Sequence, residues 1–176
     1  MDLSRHLYGI GLPGPRLEGP VETMGFKAFN LARMAAIGLP VPQAFVLGTP
    51  FCQAFGDDPA AFRPALRKLL ESQIERLEAA CGLEFGSGRK PLLVSVRSGA
   101  PVSMPGMMDT ILDVGLTDAT LRGLLRMTGN PRLVWDSYRR LIQQYAEVVH
   151  HSPPAPFREA LDLAMDQAGA RRPQEL

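Results

Sequence analysis

A helix that runs through a glycine into a Pro-x-Pro stretch and then a strand constrains this chain more than any other feature. Residues Gly25 to Gly38 carry apolar side chains at helical spacing, and Gly38 fits the left-handed position after a helix C-terminus. Leu39-Pro40-Val41-Pro42 must be extended, because each proline fixes its own φ and pushes the residue before it out of the α region. Ala44 to Leu47 follows as a short buried strand. The stretch therefore predicts a helix-to-strand crossover.

Short strands and amphipathic helices alternate along the rest of the chain. Further strands are predicted at 7–10, at 92–96 as an interior strand, and at 111–116. Helices are predicted from a cap at Thr49 to residue 55, from Asp58-Pro59 to 81, and at 118–127, 131–150 and 157–168. The pattern predicts an α+β fold, with a small mixed sheet flanked by helices and a helical C-terminal region. We expect residues 1–116 to form an α/β lobe and residues 117–176 a helical subdomain.

Composition excludes several classes of function. The 176 residues carry a formal net charge of +1, which gives no broad electrostatic attraction for nucleic acid or an anionic membrane. No run approaches the roughly 18 apolar residues that a membrane helix needs, and no signal peptide is recognised. Cys52 and Cys81 lack metal-ligand spacing, which favours two reduced thiols. We therefore expect a cytoplasmic protein with no membrane or nucleic-acid partner.

Arg97 and the loop after it are the first candidate binding residues. Arg97 follows an apolar strand and precedes Ser98-Gly99, a position at the carboxyl end of a strand where α/β proteins bind ligands. A guanidinium matches phosphate oxygens in bidentate fashion, although an ordinary surface charge is the alternative. In the loop from Ser103 to Thr110, Gly106 allows close approach of the backbone to a ligand and two hydroxyls are available. The alternative is a methionine-rich loop packed on the core.

Two more cations are candidates on helices. Lys27 lies in the first turn of the helix at 25–38, where free N–H groups attract anions. Arg140 lies in the middle of the long helix, and Asp136 one turn before it can hold its guanidinium. Arg139 points about 100° away from Arg140, so at most one of the two need face a cleft. Solvated charges are the alternative at each position, and the histidines receive no catalytic role.

Three segments together resemble the pyruvate, phosphate dikinase family and its relative, phosphoenolpyruvate synthase. Gly25-Phe26-Lys27-Ala28-Phe29-Asn30-Leu31, with Gly38-Leu39-Pro40-Val41-Pro42, is similar to the opening motif of that family. The run from Val94 to Thr110 resembles the dikinase Ser-Val-Arg-Ser-Gly-Ala and Ser-Met-Pro-Gly-Met-Met-Asp-Thr motifs. Asn130-Pro131-Arg132 and Asp136-Ser137-Tyr138-Arg139-Arg140 resemble the following dikinase helix. The resemblance runs from about residue 23 to 149.

This resemblance implies a partial ATP-grasp-like nucleotide-binding domain, the N-terminal part of an enzyme that uses ATP and phosphate to make phosphoenolpyruvate through a phosphohistidine. Lys27 and Arg97 would neutralise the nucleotide phosphates. The loop would fold over them, with Gly106 closest and with Ser103, Asp109 and Thr110 as further binding residues. Arg140 would contact the transferred phosphoryl group or the incoming phosphate as the catalytic residue. ATP and Mg²⁺ are implied as cofactors, but the family's Mg²⁺ ligands come from a part that this chain lacks, so we predict no metal ligand here.

The departures from the family motifs leave three hypotheses. Phe26 and Ala28 replace two glycines, and Pro101 stands where dikinases commonly have another arginine. The chain is first interpreted as a truncated dikinase, with at most weak ATP binding and no phosphotransferase activity alone. It is secondly interpreted as one part of a split enzyme whose partner polypeptide supplies the missing half. The third hypothesis is a non-catalytic binding or regulatory module that kept the fold and lost the chemistry.

Overall fold

The structure is a computed structural model that describes residues 3–13, 19–99 and 110–175. Helices and short strands are mixed along the chain, which confirms the predicted α+β class. Contacts group the described residues into two compact units. The first contains the residues up to Leu83 together with Ser98 and Gly99, and the second contains residues 84–97 and those from Thr110 onward.

Among its described residues, the first unit contains a 3₁₀ turn (Ser4–His6), four α-helices and one antiparallel strand pair. In chain order its elements are β1 (Leu7–Ile10), α1 (Val21–Met24), α2 (Phe26–Ala36), β2 (Ala44–Leu47), α3 (Thr49–Asp57) and α4 (Pro59–Cys81). Strand β1 pairs with β2 from Leu7↔Leu47 to Ile10↔Ala44. The buried apolar side chains of this unit are Tyr8, Ile10, Met24, Phe51 and Leu77.

The predicted crossover is confirmed. Gly38 has a φ of +84°, and its N–H donates to the Ala35 carbonyl while the Leu39 N–H donates to the Met34 carbonyl, both at 3.1 Å. These two bonds close the C-terminus of α2 and direct the chain into the extended segment before β2. The helix begins one residue later than predicted, because Gly25, with a φ of +81°, separates α2 from the short helix α1.

The caps of the next two helices differ in how well they were predicted. Asp58 caps α4 as predicted, because its Oδ1 accepts the Ala61 N–H at 3.0 Å and Pro59 takes the first helical position. The predicted cap at Thr49 is wrong. Gly48 is the N-cap of α3, and the Thr49 hydroxyl turns away to donate to the Glu22 carbonyl at 3.5 Å.

The second unit consists of three helices and two strand pairs. Its elements are β3 (Glu84–Phe85), β4 (Pro91–Leu92), β5 (Val94–Arg97), β6 (Thr110–Val114), α5 (Asp118–Thr128), α6 (Pro131–His150) and α7 (Ala155–Ala168), followed by a 3₁₀ turn (Pro173–Glu175). The buried cluster joins the end of the strands to α5 and α6, and its members are Leu116, Leu121, Leu124, Val134 and Leu141. The bounds of α6 are those predicted, with the Asn130 side chain accepting the Leu133 N–H at 3.1 Å.

The predicted single mixed sheet is replaced, among the described residues, by three separate two-stranded sheets. The run at 92–96 was predicted as one interior strand, but it divides at Leu93. Pro91–Leu92 pairs in parallel with β3, whereas Val94–Arg97 pairs antiparallel with β6. Val96 is 53% exposed, so this strand is not buried on both faces. A short apolar run does not by itself identify its pairing partners.

The compact units do not coincide with the predicted lobes at 1–116 and 117–176. Strand β6 packs on α6 and thereby joins the second unit. The lobes, as functional domains, stay a prediction. Within the described ranges, no helix is both long enough and apolar enough to cross a membrane.

At a β-bulge in β6, the strand backbone is hydrogen-bonded to the longest helix of the second unit. Val94 pairs with Val114 but Val96 pairs with Ile111, so β6 carries one extra residue opposite β5. Asp113 in this bulge has a φ of +58°. The Leu112 N–H donates to Oε1 of Gln144 on α6 at 2.9 Å. The helix thus supplies a hydrogen-bond partner for strand backbone at the irregular position.

We expect Gln144→Ala to destabilise the protein by about 1–3 kcal/mol, because it leaves the partly buried Leu112 N–H without its acceptor. Gln143→Ala is the matched control, since it removes only side-chain hydrogen bonds along the helix surface. Urea unfolding of both variants measures the difference. Equal midpoints for the two variants would contradict a specific role for the Gln144 bond.

Candidate functional site

The predicted site residues are divided among both units and a segment outside the described residues. Lys27 lies in the first unit, whereas Arg97, Thr110 and Arg140 lie in the second. Ser103, Gly106 and Asp109 lie outside the described residues, as does Pro101. Their predicted binding roles, like those of the other site residues, stay predictions.

Lys27 is the second residue of α2 and is exposed, as predicted for a cation in the first turn of a helix. Phe26 precedes it and is 45% exposed. A Cβ built on Gly99 would lie 3.9 Å from the Met24 carbonyl oxygen, just before the start of α2. Gly99, four residues before Ser103, therefore lies beside the junction of α1 and α2.

Arg97 and Thr110 are direct cross-strand partners. Arg97 ends β5, Thr110 begins β6, and the two residues are paired in the antiparallel register. Arg97 and Thr110 are therefore neighbours in one antiparallel pair, although the sequence predicted the two strands without their pairing. Arg97 is exposed at this end of the hairpin, and Thr110 is half-buried.

Arg140 lies on α6 and is held by Asp136, as the spacing predicted. Its Nε donates to Asp136 Oδ2 at 2.8 Å. The same carboxylate accepts from Arg139, with Nη2 and Nε at 2.7 and 3.2 Å from Oδ1. A single carboxylate therefore orients two adjacent guanidinium groups, one from each of its oxygens.

The charge state of Asp136 follows from these contacts. Burial alone would raise the pKa of the carboxyl, but the hydrogen bond from Arg139 and the positive charges of Arg140 and Arg139 outweigh it. The pKa therefore lies below its ordinary value of 3.8, so the carboxylate is ionised at neutral pH. The group of three carries two positive charges and one negative charge.

A cleft of about 520 Å³ adjoins this group and was not identified from the sequence. It lies between the first half of α6, α7 and the 3₁₀ turn, and its lining includes Arg132, Trp135, Asp136, Arg139, Leu161 and Pro173. Arg139 lines the cleft, whereas Arg140 does not. The spacing of residues 132, 135, 136 and 139 on one helix face is the signal from which the cleft wall was predictable. The packing of α7 against this wall was not predictable from the sequence.

Within the described ranges, no group of three or more His, Cys, Asp or Glu side chains is arranged to hold a metal ion. The two free cysteines of the chain, Cys52 and Cys81, are far apart in sequence, and the Cys81 thiol donates to Gln43 Oε1 at 3.9 Å. The described site residues include the cations Lys27, Arg97 and Arg140, and side chains of this kind bind anions.

Comparisons with known proteins identify the family. No protein-family model matches the chain. Curated pyruvate, phosphate dikinases do: the protein of Clostridium symbiosum is 42% identical over 146 residues, which is 83% of this chain and 17% of that protein. The Rhizobium meliloti protein is 40% identical over 174 residues, which is 97% of this chain and 19% of that protein. Pyruvate, phosphate dikinase 2 of Zea mays is 41% identical over 155 residues, which is 88% of this chain and 17% of that protein.

The chain is thus homologous to one part of a large phosphotransfer enzyme. That enzyme is pyruvate, phosphate dikinase, the family that its motifs resemble. The chain spans 17–19% of the length of these relatives.

We expect Asp136 to make stability depend on pH in the acid range. Because its folded pKa is lowered, its contribution is full above the unfolded pKa and is lost as the pH falls through the folded value. The wild type should therefore unfold at higher denaturant than Asp136→Asn near neutral pH, and the difference should shrink as the pH falls below 3.8 and vanish below the folded pKa. Denaturant titrations of both proteins across this range measure it. A difference that grows on acidification would contradict the assignment.

Proposed function

We propose that this chain supplies a polyphosphate-binding part of the ATP site of a dikinase. In this proposal Lys27 and Arg97 neutralise the nucleotide phosphates, and the segment of 103–110 closes over them. Arg140 contacts the phosphoryl group that is transferred or the incoming phosphate. The pairing of Arg97 with Thr110 carries the proposal, because it fixes both ends of the segment that matches the dikinase motif beside a cation.

The position of Arg97 supports an anion contact. It is exposed at the end of a hairpin rather than buried in a structural ion pair. Guanidinium groups bind phosphate oxygens through two parallel hydrogen bonds, which positions the phosphate as well as neutralising it. Gly99 lies beside the α1–α2 junction that precedes Lys27, at a helix start whose free N–H groups attract anions.

The orientation of Arg140 supports a catalytic contact. Its side chain is 51% exposed, yet Asp136 holds its Nε. The terminal Nη groups are the ones that a bidentate contact with a phosphoryl group uses. A guanidinium that is already oriented loses less conformational freedom when the anion arrives. Gln144 lies one turn later on the same face and is bonded to β6, which fixes the rotation of α6 about its axis.

The chemistry assigned to the chain is positioning and charge neutralisation. ATP, when bound, supplies the phosphoryl group and a good leaving group. Phosphoryl transfer depends mainly on placing the reacting oxygens and stabilising their charge, which is what arginine and lysine side chains do. No Mg²⁺ ligand is assigned to this chain, and the cytoplasm is the compartment that we propose for it.

Calorimetry with Mg·ATP tests the binding proposal. We expect measurable heat from the wild-type chain and binding about tenfold weaker or worse for Arg97→Gln, since one charge-assisted contact is lost. Arg89→Gln is the control, because Arg89 is an exposed arginine of the same unit in the loop before β4. Equal weakening by both substitutions would indicate a general charge effect. Absence of heat from the wild type would favour the non-catalytic module that Phe26 and Ala28 suggest.

The chain alone is expected to form no phosphoenolpyruvate from ATP, phosphate and pyruvate, because it matches less than a fifth of each dikinase. A coupled assay that consumes phosphoenolpyruvate checks this, with the full Rhizobium meliloti relative as the positive control. Product that depends on ATP and on the wild-type Arg140 would overturn the expectation.

A second proposal is that the chain works with a polypeptide that carries the other parts of a dikinase. An apolar stripe on the second half of α6 favours it: Ile142, Tyr145 and Val149 are 44–48% exposed at spacings of three and four residues. Large apolar side chains that share one helix face form a surface for another protein element. The relatives contain about five times more chain than the part that matches here, which provides such elements.

The remainder of the Rhizobium meliloti relative, expressed without the segment that matches this chain, is the partner to test. We expect the two polypeptides to co-elute in size-exclusion chromatography, and Tyr145→Asp to abolish the complex by placing a charge in the buried contact. Leu163→Asp is the control, because Leu163 is an apolar residue on α7 that is even more exposed, at 59%. A complex that survives Tyr145→Asp, or no complex at all, would exclude this partner at the stripe.

A further inference from the structure

We propose that the cleft between α6, α7 and the 3₁₀ turn of Pro173–Glu175 binds a small planar aromatic anion. This site is separate from the residues assigned to ATP and does not depend on that assignment. It combines a ligand-sized space, an exposed indole wall and an excess of positive charge, and each of these is a feature of the second unit alone.

The size and walls of the cleft suit a flat apolar group. Its volume of about 520 Å³ falls within the range of small-molecule sites. Trp135 on the α6 side is 59% exposed, although it is among the most apolar side chains of the helix. Leu161 of α7 and Pro173 of the 3₁₀ turn also line the space. An aromatic ring inserted here removes indole surface from water and stacks against it in an offset arrangement.

The charge of the cleft selects an anion. Arg132 and Arg139 both line it, and Asp136 is the acidic side chain that lines it with them. Asp136 is shared between Arg139 and Arg140, so its one negative charge does not cancel the two guanidinium charges that it contacts. Glu175 of the 3₁₀ turn accepts the Arg171 N–H at 2.7 Å and Arg172 Nε at 3.2 Å, and the charge of Arg132 also helps to lower its pKa, so Arg172 and Arg132 together outweigh its one negative charge. Positive charge therefore remains beside the indole.

These features together define the ligand class. The ring of the ligand packs between Trp135 and Leu161, and its anionic group lies toward Arg132 and Arg139. A guanidinium next to an aromatic wall accepts both the π face and the anion of one small molecule. A neutral ring of the same shape retains the stacking but lacks the charge-assisted contact, so it should bind more weakly.

The single tryptophan of the chain makes the test specific, because its indole N–H gives one resonance and that residue lines the cleft. The probe is 2-naphthoate, titrated into ¹⁵N-labelled protein, and the neutral comparator is 2-naphthamide. We expect a saturable shift of the indole resonance with 2-naphthoate and binding about tenfold weaker with the amide. Mg·ATP at saturation should leave the 2-naphthoate affinity unchanged, which separates this site from the ATP proposal.

Arg139→Gln and Arg132→Gln should each weaken 2-naphthoate about tenfold while leaving 2-naphthamide unchanged. The matched control is Arg126→Gln, which removes an exposed arginine from the last turn of α5, outside the cleft. The free-state spectrum of each variant shows whether it is folded, and either arginine variant alone suffices for the test. No shift of the indole resonance, equal affinity for acid and amide, or equal loss with Arg126→Gln would each overturn the proposal.

Discussion

The bond between the Leu112 N–H and Gln144 Oε1 is the contact on which the arrangement of the second unit depends. A bulge in β6 leaves strand backbone without its usual ladder partner, and α6 supplies that partner at 2.9 Å. The bond fixes both the position of the helix along the strand and its rotation about its own axis. The apolar cluster around Val134 and Leu141 then fills the space between α6, α5 and the end of β6.

That rotation divides α6 into three longitudinal faces with different roles. One face carries Val134 and Leu141 into the core. A second carries a chain of side-chain bonds from Asp136 through Arg139 and Gln143 to Glu147. The third carries Trp135, Ile142, Tyr145 and Val149, which the described part of the unit leaves largely exposed. The apolar sector of the helix is therefore wider than the core that covers it, which is why a cleft and an apolar stripe lie side by side.

Local chemistry determined most of what the sequence predicted correctly. Gly38, Gly82 and Gly129 end helices at positive φ, and the side chains of Asp58 and Asn130 begin them. Each of these signals lies within four residues of the boundary that it sets. The errors concern pairing between distant segments: one apolar run gives two strands with different partners, and nothing in the spacing predicts a bulge at Asp113. Such pairing depends on tertiary contacts that a local pattern does not contain.

The features of the candidate site also divide into those that local sequence predicts and those that depend on tertiary contacts. Residue type and position made Arg97 and Arg140 candidate anion ligands, which stays a prediction, and the Asp136 contact to Arg140 follows from helical spacing alone. Spacing does not decide between adjacent arginines, because residues three and four positions after an aspartate both reach it. The structure separates them by their surroundings: Arg139 lines the cleft beside Trp135, while Arg140 is the more exposed of the two. One carboxylate orients both guanidinium groups, Arg139 through Oδ1 and Arg140 through Oδ2.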